Sequence, residues 1–366
     1  MDYRMTYFVS MYLLVSCFRH TESAKVVKPG RQASRSPFAG ADEHETTREK
    51  SMRVVAVMNY KGGVGKTTVT ANLGALAASR GLRVLLIDLD PQTNLTFSFY
   101  EIDEWHHRLK DENRTIRQWY EDESPGRDTS LADLVVTPER VNRVLEHSGG
   151  RIDLISSHLG LIDIDLQLAA RLGGATTLDG SKQRFLELHS CLREALRDDH
   201  FAKYDLVLID CAPNFGIVTK TAIVASEQVL VPAKADYLST LGLDYLVGNC
   251  RELVEQFNDF VNHKGGSKEY RPIDPGVLGV VFTMVQIYSQ QVVAGQQAYI
   301  DQVGLNSQVP VLKTTIRNSP RDFGDAGQGG VPAMLRPAVR DDVVREFDEL
   351  TDEVLSALEL PAGGHR

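Results

Sequence analysis

A glycine-rich loop between an apolar run and an amphipathic stretch constrains this chain more than any other feature. Residues 59–68 read NYKGGVGKTT. The run 54–58 before them is apolar, as in a buried parallel strand, and Val69, Leu73 and Leu76 after them share one face at helical spacing. A strand, a glycine loop and a helix in this order form the setting in which a Walker-type loop binds phosphate. A glycine-rich turn with unrelated lysines is the competing interpretation, and the flanking elements disfavour it.

The loop carries the groups that hold a nucleoside triphosphate. Its glycines let successive backbone N–H groups point at phosphate oxygens, and the helix N-terminus adds the positive end of its dipole. Lys66 is expected to reach the β- and γ-phosphates, and the Thr67 hydroxyl to ligate Mg²⁺. We therefore expect a nucleoside triphosphate and Mg²⁺ as cofactors. The predicted cofactor-binding residues of the loop include Gly62, Gly63, Val64, Gly65, Lys66, Thr67 and Thr68.

The loop departs from the usual pattern G-x-x-x-x-G-K-[ST] at its first position. This chain has Tyr60 there and a second lysine, Lys61, before the glycine pair. The form K-G-G-x-G-K-T-T resembles the deviant Walker A loop of the ParA/MinD/nitrogenase-iron-protein superfamily. The resemblance implies that Lys61 crosses a dimer interface and touches the partner's nucleotide, so Lys61 and Lys66 are both expected to take part in catalysis.

An acidic segment follows the second apolar run, 84–87. Residues 88–94 read DLDPQTN, which resembles the D-x-D-P-Q-x-N switch I segment of ParA-type ATPases, with Thr93 where glycine is common. An aspartate at the carboxyl end of a strand beside the phosphate loop lies where doubly wound sheets bind ligands. The resemblance implies that Asp90 positions the attacking water and the Mg²⁺ shell.

A second acidic strand reads YDLVLIDCAP over residues 204–213. Four apolar residues ending in Asp210 are what a Walker B strand requires, a buried carboxylate aimed at Mg²⁺. Thr67, Asp90 and Asp210 therefore form the predicted metal site. Residues 214–216 are expected to begin the switch II helix.

The distal third resembles the family less. After Met284 the family often has an acidic residue and an arginine associated with DNA contact, and this chain has neither. Residues 314–321, TTIRNSPR, resemble the I-P-R-N-x-x-L segment near the adenine and the DNA face, so Arg317 and Asn318 are expected at the nucleotide. The distal third of the chain contains five cations: Lys313, Arg317, Arg321, Arg336 and Arg340. They are consistent either with a DNA-binding patch or with scattered surface charge.

Composition limits the remaining possibilities. A net charge of −9 over 366 residues argues against a uniformly basic nucleic-acid-binding protein. Four widely spaced cysteines suit a reducing compartment, so a cytoplasmic location is expected. Residues 1–51 are interpreted as a disordered extension, with Met52 as an alternative initiator, and 359–366 as a flexible tail. The last helix has an acidic polar face, which argues against docking on anionic membranes.

Secondary structure in the middle of the chain is less distinct. We expect a surface insertion at about 100–130, a helix over 131–145 and a strand over 151–156. Further helices are expected over 159–171 and 182–197. The adjacent histidines His106 and His107 are expected to point in different directions and not to share a metal.

These observations predict one α/β domain over 52–358, with a doubly wound, mainly parallel sheet. The resemblance implies a Mg²⁺-dependent ATPase that closes a homodimer with ATP in plasmid or chromosome partition, binds DNA non-specifically and answers to a ParB-like partner. Nucleoid association would follow from DNA binding. A ParA-like ATPase that positions a protein cargo without DNA is the alternative. Three other classes of protein are alternatives. A nitrogenase-iron-protein-like reductase needs paired cluster cysteines, which this sequence does not show, and a bacterial tyrosine kinase would have a C-terminal tyrosine cluster, whereas no tyrosine follows Tyr299. A scaffold that binds ATP without hydrolysing it remains open.

Overall fold

Eight strands form one mainly parallel sheet in the computed structural model, which describes residues 52–121, 129–174, 177–263, 270–306, 309–324 and 329–361. The order across the sheet is β10-β7-β6-β1-β5-β2-β4-β3, and only β3 runs antiparallel to its neighbour. Two further short strands, β8 and β9, form a separate hairpin. The strands are β1 (Arg53–Val57), β2 (Arg83–Leu89), β3 (Val135–Val136), β4 (Arg151–Ile155), β5 (Leu206–Cys211), β6 (Gln228–Lys234), β7 (Gly276–Val285), β8 (Ile287–Tyr288), β9 (Gln291–Val292) and β10 (Val311–Arg317).

Helices connect the strands and cover both faces of the sheet. Over the described residues they are α1 (Lys66–Ser79), α2 (Asn94–Phe97), α3 (Ile102–Trp105), α4 (Ile116–Glu121), α5 (Glu139–Val144), α6 (Leu161–Leu172), α7 (Leu178–Ala195), α8 (Ile217–Ala225), α9 (Tyr237–Val261), α10 (Ala294–Asn306), α11 (Pro320–Phe323) and α12 (Asp341–Ala357). A π-helical turn spans His106–Lys110, and 3₁₀ turns span Leu131–Leu134, Asp199–Phe201 and Ala333–Leu335.

Two apolar cores lie on opposite faces of the sheet, because successive strand residues point to opposite sides. In β1, Val55 and Val57 belong to one core and Ala56 to the other. The first core includes buried residues of α1 and α12, and the second includes residues of α6, α7, α8 and α9. This confirms the predicted α/β, doubly wound architecture, including the packing of the last amphipathic helix on the sheet.

The position of β1 fixes where the site forms. It lies between β5 and β6, and parallel pairing with β5 places Val57 beside Asp210. Pairing of β2 with β5 places Asp88 beside the same aspartate. The carboxyl ends of β1, β2 and β5 therefore meet at one edge of the sheet, where open α/β sheets bind ligands.

One expectation for the middle of the chain differs from the structure. The helix expected over 131–145 is wrong: the segment contains a 3₁₀ turn, β3 and α5, because Val135 and Val136 pair with β4 and Pro138 interrupts the helical pattern. The segment expected as a surface insertion, as far as it is described, buries Trp105, Trp119 and other side chains. Aromatic side chains anchor this stretch in the core.

The remaining predicted segments fall partly outside what is described. The expected disordered extension, 1–51, lies outside the described residues, as do 122–128 of the expected insertion and 362–366 of the expected tail. The described residues belong to a single compact unit. None of their helices combines the length and the apolar character needed to cross a bilayer.

Candidate nucleotide-binding site

The glycine loop adopts a backbone that requires glycine at two positions. Gly63 and Gly65 have φ values of 67° and 81°, in the left-handed region that residues with a Cβ rarely enter. Gly65 directly precedes α1, so Lys66, Thr67 and Thr68 occupy the first turn of that helix. The Thr283 hydroxyl, at the end of β7, donates a 2.7 Å hydrogen bond to the carbonyl of Val64 and so fixes the loop from a distant strand.

The phosphate loop and the Walker B strand are joined directly. The Thr67 hydroxyl donates to Oδ2 of Asp210 at 2.7 Å, and the Thr70 hydroxyl lies 3.4 Å from Oδ1 of the same carboxylate. Lys66 is 6% exposed. The structure therefore brings Thr67 into contact with Asp210, 143 positions later in the chain, although the sequence placed the two residues in separate motifs.

Two carboxylates lie side by side on β2 and β5. Asp88 and Asp210 are fully buried, and burial raises the pKa of Asp210 to about 7, against hydrogen bonds from Thr67 and the charge of Lys66 that lower it. Burial and then the neighbouring Asp210 also raise the pKa of Asp88. Asp88 accepts hydrogen bonds from the backbone N–H and hydroxyl of Thr96, so it anchors the start of α2.

Asp90 lies at the rim of the same site. Its Oδ1 accepts from the backbone N–H of Gln92 at 2.9 Å, and its own carbonyl accepts from the Ser157 hydroxyl. Burial raises its pKa, against the hydrogen bond from Gln92 and the charge of Lys66. Of the two aspartates in the switch segment, Asp88 stabilises the fold through its hydrogen bonds with Thr96, and Asp90 lies near Lys66 of the phosphate loop.

The donors at this edge fit Mg²⁺. Thr67, Asp90 and Asp210 offer only oxygen atoms, the ligands that Mg²⁺ prefers. The buried acids nearby have raised pKa values, which shows that their ionised forms lack sufficient compensating positive charge among the protein groups. A divalent cation would supply that charge.

The second lysine of the loop is held within its own chain. Lys61 Nζ lies 2.7 Å from Oδ2 of Asp236 and 3.2 Å from the Ser239 hydroxyl. Asp236 is the N-cap of α9 and accepts from the backbone N–H of Ser239. Burial acts to raise the pKa of Asp236, but the hydrogen bonds from Lys61 and Ser239 outweigh it, so the pKa is lowered.

A cavity of about 240 Å³ opens beside the phosphate loop. Gly65 and Thr68 line one side, and Arg317, Asn318 and Pro320 line the other. Its position next to the loop suits a nucleotide base. Arg317 and Asn318, which the sequence predicts at the nucleotide, line this cavity, and their contact with a nucleotide stays a prediction.

The guanidinium of Arg317 is nevertheless committed to α12. Its Nε donates to Oε1 of Glu346 at 2.7 Å, its backbone N–H donates to Oε2, and Nη1 pairs with Asp342. Arg340 is likewise paired with Asp322 at 2.9 Å. Two of the five distal cations are thus neutralised by acidic neighbours, whereas Lys313 and Arg321 are exposed.

Three functional contacts were missed at the level of sequence. Asp88 stood in a recognised motif but received no role, although a D-x-D segment offers two carboxylates. Asp236 and Thr283 carry weaker signals: Asp236 stands two residues after β6, and Thr283 lies near the end of β7. Their partners, Lys61 and the loop carbonyl of Val64, become visible only when β6 is placed beside β1 and β7 beside β6.

Fold and site together define a P-loop nucleotide-binding protein of the deviant Walker A type. A family model described as an AAA domain matches residues 52–263, more than half of the chain. The sporulation initiation inhibitor protein Soj of Bacillus subtilis is 31% identical over 287 residues, covering 77% of this chain and 90% of Soj. The chain belongs to the ParA/Soj-type partition ATPase family.

Two other comparisons show how much of the chain is similar to known proteins. An uncharacterized protein of Mycobacterium tuberculosis is 30% identical over 234 residues, which cover 63% of this chain and 60% of that protein. The chain thus spans less than two thirds of that relative's length. McdA from Cyanothece, solved as a variant in complex with ATP, superimposes with a TM-score of 0.60 at 22% identity, covering 85% of this chain and 97% of McdA, and so shares its fold.

Proposed function

We propose that this protein is a Mg²⁺-dependent ATPase that works as an ATP-driven dimerisation switch in plasmid or chromosome partition. The observation that carries the proposal is the 2.7 Å contact between Thr67 and Asp210 beside the buried Lys66. It joins a phosphate-binding loop to an acidic strand in the arrangement that nucleotide hydrolysis by P-loop proteins requires.

Each side chain of the site has a separate task in this proposal. The loop amides and Lys66 bind the phosphates, and Thr67 with Asp210 and Asp90 would hold Mg²⁺. Bound Mg²⁺ would neutralise phosphate charge. Asp90 orients the attacking water from its place near the charge of Lys66.

Dimerisation is proposed to use Lys61. A lysine at the edge of the loop, 33% exposed, can reach across to a second protomer once its ion pair with Asp236 opens. Positive charge supplied from a partner would stabilise charge that develops on the phosphates during hydrolysis. A ParB-like partner that favours this closed state would accelerate turnover.

The proposal extends to non-specific DNA binding by the ATP-bound dimer, and one observation favours a narrower alternative. Arg317 and Arg340 are paired with acidic side chains and Arg336 is half-buried. Among the described residues, Lys313 and Arg321 are therefore the exposed cations of the proposed patch that show no ion pair. If that charge is insufficient, the protein is a ParA-like ATPase that positions a protein cargo or regulates a partner.

Phosphate release from Mg²⁺–ATP, followed together with sedimentation, tests the switch. Lys66→Ala should lose most ATP binding while keeping a native circular dichroism spectrum. Lys203→Ala, at the amino end of β5, is the matched control and should behave as wild type. Unchanged ATP affinity in the Lys66 variant would show that this loop does not hold the phosphates.

Two further variants separate dimerisation from chemistry. Lys61→Ala should bind ATP and stay monomeric. Asp90→Ala should dimerise with ATP and remain closed, because loss of a water-positioning carboxylate slows chemistry more than binding. Normal ATP-dependent dimerisation of the Lys61 variant would contradict the trans role of that lysine.

A further inference from the structure

Three metal-ligating side chains converge at the π-helical turn His106–Lys110, outside the nucleotide site. One ligand atom from each of His106, His107 and Asp111 lies within 4.8 Å of the others. Oδ2 of Asp111 lies 3.4 Å from Nδ1 of His106 and 3.6 Å from Nδ1 of His107. The expectation that the adjacent histidines diverge is therefore wrong for this turn.

The π-helical turn explains the convergence. The backbone N–H of Asp111 donates to the carbonyl of His106 at 3.1 Å, the five-residue bond of a π-helix. A wider turn holds more residues, so successive side chains differ less in direction than in an α-helix. Asp111 consequently lies one turn beyond the two histidines and within reach of both. Such single-turn π segments occur frequently at functional sites.

Two of the ligand separations, 3.4 and 3.6 Å from the Asp111 carboxylate to the two imidazoles, are close to those of a tetrahedral cation site. Zinc bonds to nitrogen and oxygen of about 2.0–2.2 Å place two ligand atoms of a tetrahedron about 3.3–3.5 Å apart. We propose that Nδ1 of His106, Nδ1 of His107 and the Asp111 carboxylate bind a zinc-class divalent cation, with water in the fourth position. Two imidazoles and one carboxylate favour such a metal over Mg²⁺, which prefers oxygen ligands.

The surroundings attract a cation and admit it from solvent. Residues 101–112 contain five acidic and two basic residues, a net charge of −3. The side chains of His106, His107 and Asp111 are 45%, 78% and 51% exposed. A metal ion can therefore reach the site without local unfolding.

Lys110 disfavours metal binding. Removing its charge should therefore strengthen metal binding, whereas removing a ligand should weaken it. Its Nζ lies 3.1 Å from Nε2 of His106. Because an ammonium only donates, Nε2 accepts and the ring proton is on Nδ1, facing Asp111. Metal binding at Nδ1 moves that proton to Nε2 by exchange with solvent, where it faces Lys110, so the ammonium must move away.

Trp105 offers an optical report on the site. Its ring centroid lies 6.3 Å from that of His106, and it is one of two tryptophans in the chain. Co²⁺ bound between the histidines should quench its fluorescence. Trp105→Phe identifies the signal, since Trp119 remains.

The experiment titrates the full chain, without an affinity tag, with Zn²⁺ against a chromophoric chelator in excess Mg²⁺. We expect a zinc site that His106→Ala and Asp111→Asn each weaken by about tenfold or more. Lys110→Met should tighten it. His147→Ala, at an exposed histidine elsewhere, is the matched control and should leave it unchanged.

Several results would overturn the proposal. These are absence of saturable Zn²⁺ binding, displacement by Mg²⁺, or equal weakening in the His147 variant. Should a ligand variant fail to fold, the wild-type protein and Lys110→Met decide: Co²⁺ quenching of Trp105 that is stronger in the Lys110 variant supports the site, and no quenching in either refutes it.

Discussion

The ammonium of Lys61 lies 2.7 Å from Oδ2 and 2.9 Å from Oδ1 of Asp236, a residue 175 positions later in the chain. The lysine that is proposed to act on a partner's nucleotide is therefore paired within its own protomer. A dimer that uses Lys61 across the interface must first break this ion pair, so Asp236 opposes closure.

Replacing Asp236 should make dimerisation easier. Asp236→Asn removes the charge but keeps an oxygen that can cap α9. A half-exposed ion pair is worth up to about 1 kcal/mol, so the ATP concentration for half-maximal dimerisation should fall about two- to fivefold. Sedimentation across an ATP titration measures the change. Asp244→Asn, on an exposed face of the same helix, is the charge-matched control.

A shift of equal size in both aspartate variants would indicate a general charge effect. A higher ATP requirement in Asp236→Asn would show that the carboxylate positions Lys61 for its role and does not restrain it.

The acid at the Walker B position should make stability depend on pH. The pKa of Asp210 is about 7 in the fold and about 4 in an unfolded chain. The unfolded state thus releases this proton first, so the free energy of unfolding should fall as pH rises through the interval. This loss of stability is on the order of 4 kcal/mol for a difference of about three pKa units, and Asp210→Asn should remove it from the nucleotide-free protein.

Urea unfolding at a series of pH values measures this slope. Asp163→Asn, on the exposed face of α6, should retain the wild-type slope. If the slope of Asp210→Asn equals that of wild type, the buried acid responsible is another residue, and Asp88 is then the next to test because its pKa is raised in the same direction.

The meeting of the phosphate-loop, switch I and Walker B motifs at one edge of the sheet could be predicted because each motif is a contiguous run of residues. The loop at 59–68, Asp90 and Asp210 each follow an apolar strand, and parallel strands place such ends together. Thr93 illustrates why glycine is common in its segment: its φ is 59°, a left-handed conformation that a β-branched residue rarely adopts.

Contacts that depend on strand order could not be predicted. Apolar periodicity identifies strands but does not say which are neighbours. Asp236 reaches Lys61 because β6 lies next to β1, an adjacency between elements about 170 residues apart. The π-helical turn at His106–Lys110 is likewise a local departure that helical periodicity does not signal.

The ion pairs of Arg317 should contribute to folding stability, whereas its paired guanidinium should add little positive charge for DNA binding. Its side chain is 16% exposed and that of Glu346 is 10% exposed. Arg317→Ala leaves the buried Glu346 carboxylate with a backbone N–H donor but no counter-charge, and should lower the free energy of unfolding by about 2–4 kcal/mol. Arg345→Ala, whose side chain is 68% exposed, should cost less than about 0.5 kcal/mol.

Urea denaturation of the two arginine variants compares them directly. Equal stability of both would show that the pairs of Arg317 contribute nothing in solution. The stability effect also means that a loss of nucleotide or DNA binding in an Arg317 variant has to be measured on protein shown to be folded.

DNA binding is best tested at Arg321, which is exposed and follows β10 at the sheet edge. In the proposed ATP-bound dimer two copies of each cation come together, so we expect a protein of net charge −9 to bind DNA phosphates only in its ATP state. Arg321→Glu should weaken ATP-dependent binding to random duplex DNA by about tenfold and reduce the dependence on salt, because fewer counterions are released.

Arg143→Glu, near the opposite edge of the sheet, is the matched control. ATPase activity without DNA should be unchanged in both. If the wild-type ATP dimer shows no retention on duplex DNA at low salt, the partition proposal gives way to an ATPase that acts on a protein partner.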